Sequence, residues 1–238
     1  MRGSITAAVL CWGVIAATQA RAEPAPRPEM EHCRKLKALK EPLNDRTEAL
    51  PVPKSYEMLV SSSREQFAVA NIYGGSICLD TRPMTEVKGF TISKDRRFFE
   101  FDWTGYEADG HIVVDRSGSG QVIETGVSPV SSPSRRLFAA VQQTEASFGG
   151  LEGFAVWRVD VVGVKRMTFQ EGIPRLADWR IDGWEKETCI DLSGIPHDRV
   201  IGGANLKKLR RDRYVAEFTH EGWILRPKAT GCPGKRET

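Results

Sequence analysis

Ile92-Ser93-Lys94-Asp95-Arg96-Arg97-Phe98-Phe99 returns 39 residues later as Ser131-Ser132-Pro133-Ser134-Arg135-Arg136-Leu137-Phe138. Both stretches read the same way: a Ser-led polar turn, a basic pair, then a strand opening on a large apolar side chain. Val60-Ser61-Ser62-Ser63-Arg64-Glu65-Gln66-Phe67 is a looser copy 32 residues before the first, and Leu209-Arg210-Arg211-Asp212-Arg213-Tyr214-Val215 a later one. Cys78-Leu79-Asp80 echoes Cys189-Ile190-Asp191. Recurrence at periods of about 20–50 residues marks repeat β architectures.

Outward from these turns, short runs rich in Val, Ile, Phe and Trp alternate with Gly, Ser, Asp and Pro. The runs are Phe67–Tyr73, Ser76–Asp80, Arg97–Asp102, His111–Asp115, Gln121–Thr125, Arg136–Gln142, Phe154–Asp160, Val164–Phe169, Glu187–Leu192, Arg213–Thr219 and Gly222–Arg226. Strands this short and numerous predict a sandwich, a barrel or a propeller. Only one helix is expected. Met30, Cys33, Leu36 and Leu39 form a single apolar stripe over 29–40, ended by Pro42. The expected fold class is all-β with one N-terminal helix, a small or irregular propeller-like repeat array, with a β-sandwich or partly open barrel as alternatives. One mainly-β domain is expected over 29–232, with a frayed tail at 233–238.

The segment Ser132-Pro133-Ser134-Arg135-Arg136-Leu137-Phe138-Ala139-Ala140-Val141 resembles the turn and strand that recur in TolB-like and WD-repeat propellers. Those families favour Ser-Pro-Asp-Gly, where this chain has Ser134-Arg135 in place of Asp-Gly. The resemblance implies a scaffold that binds proteins or ligands and carries over no catalytic residues. Five units of about 40 residues would fit the chain.

Met1 to Ala22 predicts a secretory signal peptide. Arg2 supplies the positive region, Ile5 to Ala17 the apolar run, and Ala20-Arg21-Ala22 the small-x-small cleavage pattern. The run is shorter than the roughly 20 apolar residues a membrane span needs. The stretch 23–28 is Pro-rich and reads as flexible. Removing the signal takes away two arginines and no acid, leaving 32 basic against 31 acidic residues. That near-neutrality gives no electrostatic footprint for nucleic acid. The basic run Lys207 to Arg213 reads as a solvated turn before a strand.

Cys33, Cys78, Cys189 and Cys232 remain after processing, and an even count in an exported chain reads as two disulfides. Three connectivities are open. The sequential pairing, Cys33 with Cys78 and Cys189 with Cys232, is the expectation, because it ties each end to a nearby strand. No two cysteines lie close enough for a C-x-x-C half-site, so no metal is expected, and no cofactor either.

Chemistry-bearing residues are few. His111 follows Asp109-Gly110 and faces a segment with Glu100 and Asp102. A His beside a carboxylate is the minimum for general-base chemistry. His111 with Asp102 or Asp109 is therefore the catalytic candidate of a rival reading, an envelope hydrolase. The leading expectation is a periplasmic or secreted binding module without catalysis. Its candidate surface is Trp179, Arg180, Asp182 and Trp184, where indoles mix with charge beside turn signals. Its partner would be an envelope protein, a peptide or a glycan.

Overall fold

The computed structural model describes residues 27–33, 46–143, 151–200 and 205–228. The chain is all-β there, arranged as four antiparallel sheets whose strands follow sequence order. Sheet 1 has three strands: β1 (Val60–Ser62), β2 (Gln66–Ala70) and β3 (Ser76–Asp80). Sheet 2 has β4 (Met84–Ile92), β5 (Phe98–Gly105), β6 (Asp109–Asp115) and β7 (Gln121–Glu124). Sheet 3 has β8 (Val130–Ser131), β9 (Leu137–Gln142), β10 (Gly153–Asp160) and β11 (Gly163–Gln170). Sheet 4 has β12 (Leu176–Lys186), β13 (Cys189–Pro196), β14 (Asp212–Thr219) and β15 (Gly222–Pro227). The described residues thus hold four units where five were expected.

The core explains the order of the sheets. Phe67 and Val69 of sheet 1 pack with Phe99, Phe101, Ile112 and Val114 of sheet 2. Successive residues of a strand point to opposite faces, so Val113, between Ile112 and Val114, turns the other way. With Ile123 it meets Phe138, Ala140, Ala155 and Trp157 of sheet 3. Ala139, Val141, Phe154 and Val156 are the opposite face of sheet 3, packed on Trp179, Ile190, Leu192, Tyr214 and Trp223 of sheet 4. The inner sheets are covered on both faces at β6, β9 and β10, which is why Ile112–Val114, Leu137–Val141 and Phe154–Trp157 read as unbroken apolar runs, whereas β5 alternates, with Glu100 and Asp102 on the face away from Phe99 and Phe101. Among the described residues no apolar cluster joins sheet 4 back to sheet 1.

The repeated turns occupy equivalent places. Each joins the first and second strand of its sheet. The Ser93 N–H donates to the Phe98 carbonyl at 2.9 Å, and the Ser132 N–H to the Leu137 carbonyl at 2.8 Å. Each serine Oγ accepts from the same partner's N–H, at 2.9 and 3.2 Å. Arg96 and Arg135 both take left-handed backbone, with φ of 60° and 59°. Phe99 and Phe138 follow at matching positions, both buried, and each faces the preceding sheet.

The two looser copies are not equivalent. Phe67 faces forward and meets the Phe101 ring at 5.8 Å. Sheet 1 has three strands, and the turn from Ser63 to Gln66 is two residues shorter than its counterparts. The stretch Leu209–Val215 joins the second and third strands of sheet 4, not the first and second.

The N-terminal helix over 29–40 is not what the described residues show. A single 3-10 turn spans Met30–Cys33, and 34–45 lies outside the described residues. Cys33 nonetheless pins that turn against sheet 1 through a disulfide to Cys78, with Cα atoms 5.3 Å apart. Cys189 is disulfide-bonded too, while its expected partner Cys232 lies outside the described residues. So do the signal peptide, residues 23–26 and the tail 233–238. Thiol titration of denatured, unreduced protein should therefore find Cys33, Cys78 and Cys189 blocked, with a peptide map linking Cys33 to Cys78. A free thiol at any of the three would contradict this.

Candidate functional site

In a sheet whose strands run in sequence order, the first turn and the third turn lie at one end and the second turn at the other. The turn end therefore holds both repeated Ser turns and the third turns of sheets 2 and 3, and the 71–75 turn of three-stranded sheet 1 joins them through the Ile72 N–H, which donates to the Arg116 carbonyl at 2.9 Å. Two arginines knit it together. Buried Arg116 donates to the carbonyls of Ala70 in sheet 1 and Arg96 in sheet 2, both at 2.6 Å. Arg97 donates to Asp115 at 2.9 and 2.8 Å and to the Gly163 carbonyl of sheet 3 at 3.2 Å. Burial alone would raise the Asp115 carboxyl. The bonds from Arg97 and Ser117 outweigh it and hold the group below the usual carboxylate range.

A cleft of about 430 Å³ opens here between sheets 2 and 3. Both repeats contribute to it: Lys94, Asp95, Arg97 and Phe98 from the first, Ser131, Arg135 and Phe138 from around the second. Val113, Pro129 and Val159 complete an apolar floor. Asp95 is occupied by the Ser93 hydroxyl and the Arg97 N–H. Lys94 and Arg135 stand exposed at the rim. Such a volume, apolar below with a few charges above, has the form of a ligand site. No local pattern flagged it, because it exists only where two repeats 39 residues apart meet.

His111 sits farther along the same face. Its strand pairs it directly with Asp102, and Nδ1 lies 2.7 Å from Oδ1. Nε2 lies 3.4 Å from Glu100, which also lines the cleft. Asp109 pairs instead with Thr104 and is exposed. His111 itself is not in the cleft wall, and its side chain is 6% exposed. Burial would lower its pKa, but the bonds to Glu100 and Asp102 outweigh that and raise it above the ordinary histidine value. Both ring nitrogens are thus engaged by carboxylates, Nδ1 by Asp102 and Nε2 by Glu100.

That geometry has a pH signature. A histidine whose folded pKa is raised contributes stability fully below about 6.5, the unfolded value. The contribution is lost as pH rises through the folded value. From pH about 6 to about 8, the melting temperature of the protein should fall relative to that of His111→Gln. Thermal melts across that range, with NMR titration of the His111 ring, check this; parallel curves would contradict it.

The Trp179–Trp184 segment is placed differently from a solvent-facing platform. The Trp179 ring packs at 4.9 Å on Tyr214, and its Nε1 donates to the Pro174 carbonyl. Trp184 meets Trp223 edge-on at 5.6 Å and donates to the Val130 carbonyl. Register shifts in β12 produce this. Asp178 bulges out with φ of 48°, and both indoles turn to the core. Arg180 and Asp182 point the other way and meet each other and Ser193. Trp179 and Arg180 do border a smaller groove of about 280 Å³ between sheets 3 and 4.

No protein-family model matches the sequence, nor does any curated protein. Among solved structures, the chain is similar to TolB from Acinetobacter baumannii. The identity is 15% and the TM-score 0.31, over 76% of this chain and 40% of that one. The chain thus spans less than half the length of that structure. No helix among the described residues is long and apolar enough to cross a membrane.

Proposed function

We propose that this chain is an exported, non-catalytic binding module, an open propeller-like array of four blades that takes its ligand in the cleft between sheets 2 and 3. The cleft carries the reading: two copies of one turn motif converge on it with an apolar floor and a cationic rim. Export draws support from the signal pattern at Met1–Ala22 and from the Cys33–Cys78 disulfide, a bond that persists in oxidising compartments. The ligand that fits is a segment of an exported protein or peptide. One apolar side chain would rest on Phe98, Phe138 and Val159, and one carboxylate would lie between Lys94 and Arg135.

The hydrolase reading draws on the short His111–Asp102 contact. It is disfavoured because that imidazole is bonded at both nitrogens and lies outside the cleft.

Amide NMR of the oxidised protein, titrated with short peptides that pair an acidic with an aromatic residue, tests the proposal. Shifts should concentrate on Ser93–Phe98 and on Ser131–Phe138, and Arg135→Glu should weaken binding by roughly tenfold or more, as loss of a charge-assisted contact does. Shifts centred on His111 with turnover of the peptide would favour the hydrolase.

A further inference from the structure

At the turn end, β10 and β11 are joined by Val161 and Val162 alone, since Asp160 pairs with Gly163. Two-residue hairpins favour Asn-Gly or Gly-led pairs whose backbone takes positive φ. Here both positions are β-branched and neither has positive φ. The side chains are 83% and 77% exposed. Folding alone gives no reason for two valines there.

The neighbouring tips extend the feature. Tyr73 and Ile72, on the sheet 1 hairpin, are 74% and 40% exposed. Asn71 donates to the Gly118 carbonyl at 3.0 Å, and a Cβ added at Gly118 would lie 2.2 Å from the Val162 carbonyl. The tips of sheets 1, 2 and 3 therefore abut in one row that carries the exposed side chains of Tyr73, Val161 and Val162.

Charge completes the description. Lys94, Arg96, Arg135, Arg136 and Lys165 are exposed around this end. Of its carboxylates, Asp115 is paired by Arg97 and Asp160 by Arg158, while Asp95 and Glu187 are held by the Ser93 hydroxyl and the Ser134 N–H, which leaves the exposed cations in excess. An apolar row inside a cationic rim has the make-up of a surface that lies on anionic lipid. A fluid lipid surface takes up separate exposed apolar side chains without a shaped pocket for each, and anionic headgroups match the surrounding cations.

We propose that the turn end is a membrane-docking edge, with the Val161–Val162 tip entering the interface of an anionic lipid surface and the surrounding cations meeting its headgroups. The proposal goes beyond the cleft reading and stands without it, because neither valine belongs to the cleft wall.

Co-sedimentation of the oxidised, processed protein with vesicles tests it. One set is phosphatidylcholine alone, the other contains one third phosphatidylglycerol. Binding to the anionic set is expected to be at least roughly tenfold tighter and to weaken as salt rises. Val161→Asn with Val162→Gly installs a favoured hairpin turn, so this variant should fold at least as well and lose at least roughly tenfold in vesicle affinity. Arg96→Gln with Lys165→Gln should weaken binding to the anionic set and leave the neutral set unchanged. The proposal is overturned if the protein stays in the supernatant with anionic vesicles, if it binds both sets alike, or if the Asn-Gly variant binds as the parent does.

Discussion

Truncating Phe99 or Phe138 to alanine should destabilise the protein by about 3–5 kcal/mol each, the usual range for a buried Phe. Both rings open the second strand of their sheet and close the core toward the preceding one. Phe99 lies 5.7 Å from the rings of Phe90 and Phe101. Phe138 stacks on Trp157 at 5.2 Å. The turn residues that announce these strands are exposed, so Arg96→Ala and Arg135→Ala should each cost under about 1 kcal/mol. Urea melts of the four variants measure the contrast. If either Phe variant melts with the parent, the two repeats are not equivalent structural units, and the cleft between them loses its explanation.

Arg97→Leu should be comparably severe, about 3–5 kcal/mol, because it strands Asp115, whose side chain is fully buried, without its partner. It also removes the bond to Gly163, one of the ties between sheets 2 and 3. The sign of the pH dependence makes the assignment specific. In the parent, Asp115 has a depressed pKa. It contributes stability above its unfolded value of about 4, and that is lost as pH falls through the folded value. In Arg97→Leu only the two bonds from Ser117 remain against burial, so the folded pKa rises from its parent value. The variant should then lose less stability on acidification than the parent does. Denaturant midpoints of both proteins between pH about 7 and about 4 separate this from a simple packing defect, which would shift both curves in parallel.

The strands that the sequence reveals and those it hides differ for a physical reason. All eleven runs identified from apolar content are strands, because they lie inside their sheets or close a buried face. The missed strands are β1, β4, β8 and β12, in each case the first of its sheet. Met84–Ile92 and Leu176–Lys186 contain register shifts, and each bulge moves the apolar residues to the other parity. Val87 and Phe90, or Trp179 and Trp184, then share a face at odd spacings that alternation cannot reveal. That shift also explains why the Trp179–Trp184 segment, read as mixed and exposed, turns its indoles inward.

The candidate site was legible only in part. The approach of His111 to Asp102 follows from two strands of suitable length, and direct cross-strand pairing delivers it. That Glu100 would occupy the second ring nitrogen depends on where its side chain turns, which no local pattern encodes. The cleft depends on one sheet stacking behind another, although the repeated turns that line it were the clearest signal in the chain. The N-terminal stripe from Met30 to Leu39 pointed to a helix, yet what places Cys33 is its bond to Cys78 on sheet 1.

The cleft is the centre of this account, and site-directed photo-crosslinking in cells exporting the protein probes it most directly. A photoreactive phenylalanine derivative would replace Ser131 at the cleft or Glu107 at the opposite end of sheet 2, both exposed. The account predicts a discrete adduct from position 131, reduced when Arg135→Glu is added, and none from position 107. Adducts from 107 alone, or adducts from 131 that persist unchanged with Arg135→Glu, would contradict it.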